Sequence, residues 1–306
     1  MRLGFLAETF LGKGKMKKIL PLFLLIILVG LIFFWFFQKE KNSEEKKKAS
    51  QFGLMLDQKT ATQGSELKPT PQPTMTPVPT IDVAKYGPCR NVPVLMYHHV
   101  NSLTGGEATS QSLTVRTETF QEQMDFLAKR GYQTITPKEL FEGLNNNALP
   151  AKPMVITFDD GYADIISQAF PILRNHNFKF TIFLPTGLMN SGPSYLTWSQ
   201  LNEMKGSGLL TAGAHTWSHK ALTKLSPEEL KKEISLSKKQ IEEFYGGQVE
   251  AFAYPYGSDN KAVEEELKNQ GFLMAFLTTR GIQCAKLPFD FHRIRIGSAS
   301  LSSYGL

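Results

Sequence analysis

Cysteine is scarce in this chain. Its 306 residues hold two, Cys89 and Cys284, and no Cys-x-x-Cys pair. That excludes a zinc ribbon or a dithiol redox motif. The pair is compatible with one disulfide in an oxidising compartment or with two separate thiols. Charge is little patterned for nucleic acid. The net charge is +6 and much of the excess lies in the N-terminal third. No lysine/arginine patch interleaved with aromatics follows, so a nucleic-acid partner is disfavoured. No internal repeat is present, which sets aside solenoids and propellers. The N-terminal apolar run is followed by no small-x-small cleavage site and has no cysteine beside it for lipidation, so a removed signal peptide and a lipid anchor are both disfavoured.

That run is the longest apolar stretch, Ile19 to Phe37, without a charged residue. A bilayer crossing needs roughly 20 such residues. Lys13, Lys15, Lys17 and Lys18 precede it, and the positive-inside rule then puts residues 1–18 in the cytoplasm. The reading is an uncleaved signal anchor at 19–37, a single pass with the rest of the chain extracytoplasmic. Residues 38–88 are a linker, first charged and poor in apolar residues, then rich in proline and threonine from Lys68 to Thr80. Alternating proline favours polyproline II, a semi-rigid spacer. Residues 89–306 form the globular part.

In the globular part short apolar runs alternate with helical patterns. The runs are Val92–Tyr97, Tyr132–Ile135, Met154–Phe158, Phe180–Leu184, Leu209–Ala214, Ala251–Tyr254, Phe272–Leu277 and Ile294–Ile296. Thr119 and Glu122 are spaced as a capping box ahead of Phe120, Met124 and Leu127. Ser226-Pro227-Glu228-Glu229 combines an N-cap, a first-turn proline and a capping box, and its helix carries Leu230, Ile234, Ser237, Ile241 and Phe244 at core spacing until Gly246-Gly247. Val263 and Leu267 mark another helix, ending at Gly271. Strand alternating with helix predicts a parallel sheet under helical cover, closed or nearly closed into a barrel.

One strand run ends abruptly in Asp159-Asp160-Gly161, another in His215-Thr216-Trp217-Ser218-His219. Paired carboxylates at the rim of a core are costly without a compensating cation. Two histidines four apart share a face if they lie on a helical turn. With one carboxylate they make a three-ligand site that leaves a position open, and the second carboxylate is then placed as a general base. Zinc is the default ion; cobalt, nickel and iron accept the same donors.

With those motifs in hand, residues 91–306 resemble the polysaccharide deacetylases of the NodB-homology type, carbohydrate esterase family 4. Thr157-Phe-Asp-Asp-Gly-Tyr162 resembles the first family motif, His215-Thr-Trp-Ser-His219 the second, and Ala253-Tyr-Pro-Tyr-Gly257 the third in degraded form. Pro93-Val-Leu-Met-Tyr-His-His-Val100 resembles the branch of the poly-β-1,6-N-acetylglucosamine deacetylases. The resemblance implies a distorted (β/α) barrel of about seven strands. It implies metal ligands Asp160, His215 and His219, the base Asp159, the backbone N–H of Tyr256 as oxyanion donor, and a general acid at His98. His292 is the rival acid, and His99 reads better as structural. Tyr162, Trp198 and Tyr256 are the residues expected to touch substrate. The implied reaction removes N-acetyl groups from a surface or extracellular polysaccharide. An O-acetyl esterase and a non-catalytic glycan-binding module are the alternatives. Ala253 stands where many members carry an arginine that steadies the base; Arg293 and Arg295 are the candidates to replace it.

Overall fold

A computed structural model describes residues 82–101 and 113–306. The anchor read at 19–37 and most of the linker lie outside the described residues. Among the described residues no helix is long and apolar enough to cross a membrane.

In chain order the strands are β1 (Cys89–Arg90), β2 (Val94–Tyr97), β3 (His99–Val100), β4 (Thr114–Val115), β5 (Gln133–Thr134), β6 (Pro153–Phe158), β7 (Phe180–Leu184), β8 (Leu210–Ala214), β9 (Ala251–Ala253), β10 (Met274–Phe276), β11 (Gln283–Cys284) and β12 (Ile294–Arg295). The helices are α1 (Val83–Tyr86), α2 (Thr117–Lys129), α3 (Pro137–Asn146), α4 (Phe170–Asn175), α5 (Trp198–Lys205), α6 (Pro227–Phe244) and α7 (Lys261–Asn269). Seven strands follow one another in the order β10-β9-β8-β7-β6-β2-β12, with β5 paired to the start of β6. Every pairing along this path is parallel. Phe291 forms a parallel bridge to Phe276 of β10, and three residues later β12 pairs with β2. One short segment thus touches both ends of the path and bends the sheet into a distorted (β/α) barrel, the form that the family resemblance implies.

Period-two alternation sorts the side chains into two cores. Leu95, Tyr97, Ile156, Phe158, Ile182 and Leu184 face the helix layer, with Phe120, Met124 and Leu127 of α2 and Ile234 and Ile241 of α6. Val94, Val155, Phe183, Ala253, Phe276 and Phe291 fill the barrel interior. All eight apolar runs read from the sequence contain a strand of the barrel sheet.

Three local readings are corrected. Thr119 does not cap α2: the helix begins at Thr117 with Arg116 as N-cap and no side-chain bond there, because Phe120 N–H already donates to Arg116 O at 2.8 Å. Phe244 is not in the core; it is 46% exposed at the end of α6. His215 and His219 share no helical turn, since that segment is a loop after β8. The box at Ser226 is present in full.

Cys89 and Cys284 are direct partners across the antiparallel pair of β1 and β11, joined in a disulfide. α1 lies in the stretch read as linker, held by Lys286: its Nζ donates to Ala84 O and its N–H to Tyr86 O.

Candidate active site

The alternation that fills the barrel also aims the site. Val155 points inward, so Thr157 and then Asp159 fall on the same side just past the end of β6. Arg293 meets them there with no exposed surface. Its guanidinium forks onto Asp159, NH1 to Oδ1 at 2.7 Å and NH2 to Oδ2 at 2.8 Å. NH1 also reaches Thr157 Oγ1 at 3.3 Å, and Nε donates to Leu277 O at 2.9 Å. Burial pushes the Asp159 carboxyl up, but Arg293 outweighs it and holds the group below the usual carboxylate range. Of the two arginines left open by the sequence, Arg293 is the one that pairs with Asp159.

Asp160 turns away from its neighbour because its φ is +68°, followed by Gly161 at +65°. Its Oδ1 lies 3.0 Å from His219 Nε2 and 3.5 Å from His215 Nε2. Neither approach has hydrogen-bond geometry, so Oδ1 is buried without a hydrogen-bond partner. The far side of each ring explains why. His215 Nδ1 is 2.7 Å from Ala253 O. A carbonyl only accepts, so Nδ1 donates to it; in the neutral ring that leaves Nε2 as a lone pair facing the carboxylate, the form a metal ligand takes. His219 Nδ1 sits 3.1 Å from the Tyr256 hydroxyl. Potential ligand atoms of Asp160, His215 and His219 lie within 4.8 Å of one another, an arrangement suited to a cation between them. Two imidazoles and a carboxylate, with the rings fixed from behind, fit a divalent transition ion. Burial raises Asp160, but positive charge at its side, here from the two imidazoles in their protonated form, holds it well below its ordinary pKa.

The backbone is strained where these groups meet. Seven described non-glycine residues have positive φ. Three are asparagines, which tolerate it; the other four are Asp160, Thr216, His219 and Tyr256. Left-handed backbone concentrated in this way marks functional sites. It also replaces the helical turn expected for the two histidines.

The remaining candidates are placed as follows. His98 is 9% exposed at the end of β2. Burial lowers its pKa, Asp159 and Asp160 push back, and Arg293 and Arg295 lower it again, leaving it below the ordinary value. His99 is structural: its Nδ1 is 2.7 Å from Asp164 Oδ2, and its ring stacks on Tyr162 at 3.5 Å. Tyr162 stacks in turn on Tyr195 at 5.5 Å. His292 packs on Gly281, and its Nδ1 pairs with Thr279 Oγ1. Tyr256 is 69% exposed at the rim. Trp198 stacks on Phe244 at 4.9 Å, a contact between α5 and α6. Trp217 lies over Gly187, where even a Cβ would come within 3 Å.

Sequence reasoning missed Glu233 of α6, a buried carboxylate that accepts from Trp217 N–H, Ser218 N–H and Ser218 Oγ. A signal was present. Glu233 follows Leu230 by three and precedes Ser237 by four, so it shares the core face of that helix.

A parallel barrel with paired carboxylates and two imidazoles at the C-terminal rim of its strands is the architecture of a hydrolase. The chain belongs to the polysaccharide deacetylase family. The family model for polysaccharide deacetylases matches residues 146–275. YxkH of Bacillus subtilis, classed by name among the polysaccharide deacetylases, is 32% identical over 217 residues, covering 70% of this chain and 75% of that protein. The poly-β-1,6-N-acetyl-D-glucosamine N-deacetylase of Escherichia coli K12 is 27% identical over 248 residues; the match covers 67% of this chain and 36% of that longer protein. The solved deacetylase PplD of Streptococcus pyogenes, in complex with acetate, superposes with a TM-score of 0.66 at 31% identity, over 70% of this chain and 96% of that one.

Proposed function

We infer that this site hydrolyses N-acetyl groups on an extracytoplasmic polysaccharide containing N-acetylglucosamine, with a divalent cation, zinc by default, held by Asp160, His215 and His219. The observation that carries the reading is the convergence of His219 Nε2 at 3.0 Å and His215 Nε2 at 3.5 Å on Asp160 Oδ1, which has no hydrogen-bond partner, beside the Asp159 carboxylate paired with Arg293. Similarity to an N-deacetylase supports the choice of bond. The similar deacetylase solved with acetate holds the acid this reaction would release. The disulfide Cys89–Cys284, the apolar run at 19–37 and the proline-rich linker support a location outside the membrane.

A cation bound there supplies Lewis acidity, polarising the acetamide oxygen and lowering the pKa of the attacking water. Asp159 accepts that water's proton, and Arg293 keeps it ionised and aimed. Oxygen bonds to the acetyl carbon, and the backbone N–H of Tyr256 donates to the developing oxyanion. The carbon–nitrogen bond then breaks as His98, in its protonated form, hands its proton to the leaving amine. Asp159 and Asp160 favour that protonated form, while burial, which lowers the pKa of His98, eases the release. The products are acetate and a free glucosamine amine. Tyr162, Tyr256 and Trp198 are the aromatics assigned to the sugar chain.

The experiment is acetate release from N-acetylglucosamine oligomers by the full chain. Asp159→Asn and His98→Ala are each expected to lower turnover by about 10²- to 10⁴-fold, the usual loss of a general acid or base, while His292→Ala leaves it near wild type. A wild type inert on N-acetylated but active on O-acetylated glycan would transfer the reading to an esterase.

A further inference from the structure

Glu233 has no part in the chemistry above, yet it is a carboxylate only 2% exposed. Its nearest cation, Lys220 Nζ, is 3.7 Å from Oε1 and half exposed. What keeps Glu233 inside is the loop between the two histidines. Its Oε2 accepts from Trp217 N–H at 3.1 Å and Ser218 N–H at 2.8 Å, and Oε1 from Ser218 Oγ at 2.6 Å. That loop has an awkward task. It must return His219 toward His215 within four residues, and it does so with Thr216 at φ +67° and His219 at +60°. Left-handed backbone is unfavourable for a non-glycine residue, most of all a β-branched one. Other contacts fix different atoms of the loop: Gly187 N–H donates to Trp217 O at 2.6 Å, Thr186 N–H to Thr216 O at 3.3 Å, and His219 N–H to Thr216 Oγ1 at 2.8 Å. Among the bonds of the described residues, Glu233 alone takes the Trp217 and Ser218 amides.

We propose that Glu233 is a positioning residue: its carboxylate clamps the Trp217–Ser218 amides and thereby presets the His215–His219 geometry for cation capture. The proposal rests on the reading that Asp160, His215 and His219 hold a divalent cation. What acts is reach, since one oxygen must bridge both amides, rather than negative charge. Two conservative variants of the full chain separate these. Glu233→Gln keeps the reach and an acceptor oxygen, loses the charge, and can donate its NH2 to Ser218 Oγ. Glu233→Asp keeps the charge and is one methylene too short. The probe is Co2+ alone, titrated into metal-free protein and read by its visible absorption, with melting of the metal-free proteins measured alongside. Expected are a Glu233→Gln affinity within about threefold of wild type and a Glu233→Asp affinity about 10- to 100-fold weaker, the usual loss for a group orienting a ligand, with an altered Co2+ spectrum at temperatures below both melting transitions. Any other order, including wild-type affinity in both or a greater loss in Glu233→Gln, overturns the proposal. A wild type that binds no Co2+ overturns the metal reading itself, which the wild-type titration shows separately.

Discussion

At the scale of single residues, the Arg293–Asp159 pair governs the site. A guanidinium without exposed surface is tolerable only when its donors are matched, and here a fork, a threonine hydroxyl and a carbonyl meet it. Removing one member of such a buried pair costs about 3–5 kcal/mol. Arg293→Met is therefore expected to lose stability of that order in urea unfolding at pH 7. Arg293→Lys also fails to restore turnover, because an ammonium cannot bridge both carboxylate oxygens. The sign with pH follows from linkage. The folded pKa of Asp159 lies below its unfolded value, so its stabilisation is present above about pH 4 and is lost as pH falls through the folded pKa. In Arg293→Met the largest influence against burial is gone and only His215 and His98 remain, so the carboxyl rises and the gap between the two proteins should narrow toward acid pH. A gap independent of pH would contradict the pairing. Asp159, Asp160 and His215 stand out in the sequence because they end apolar runs, and His219 because it follows His215 by four. Arg293 was readable only as one of two arginines, since nothing local says that residue 293 turns inward while 295 is exposed.

At the scale of elements, strands were legible and helix starts were not. Barrel strands are continuous apolar runs buried on both faces, a signal that survives without context. Helices α3 and α5 begin at complete capping boxes, Thr136 with Glu139 and Thr197 with Gln200, yet they are short, 10 and 8 residues, and so offer few turns in which to read a period. The His-x-x-x-His spacing misled for a related reason: two side chains four apart also converge from a loop with left-handed residues, and only tertiary clamps such as Glu233 make that loop stable. One element carries a testable charge imbalance. Near the start of α7, Asp259, Glu264 and Asp290 bring carboxylate oxygens within 4.8 Å of one another. Burial, then the neighbouring Glu264 and Asp259, push Asp290 above its ordinary pKa. An acid with a raised folded pKa destabilises the fold when ionised, above that pKa, and not when protonated, below its unfolded one. Asp290→Asn should therefore raise the melting temperature at pH 7, with the difference gone near pH 3. An unchanged or lower melting temperature at pH 7 would contradict the like-charge account.

At the scale of the whole molecule, the disulfide ties residue 89, near the start of the described residues, to residue 284, 195 positions on. The loop-entropy relation gives roughly 5 kcal/mol for so long a loop, an upper limit. Reduction with a thiol is expected to lower the melting temperature by several degrees, and an unchanged melt would show that the barrel holds its ends without the bond. If the domain lies outside the membrane, as inferred, Cys89 and Cys284 in cells should resist alkylation until they are reduced; ready alkylation would place them in a reducing compartment. The sequence left the state of these cysteines open because only the register of β1 against β11 brings them face to face.

The most direct test titrates zinc into metal-free full-length protein while zinc binding and acetate release from N-acetylglucosamine oligomers are followed together. Acetate release should rise in proportion to bound zinc, saturate at one ion per chain, and vanish together with zinc binding in His215→Ala. Turnover without bound metal, or undiminished zinc binding in His215→Ala, would contradict the site described here.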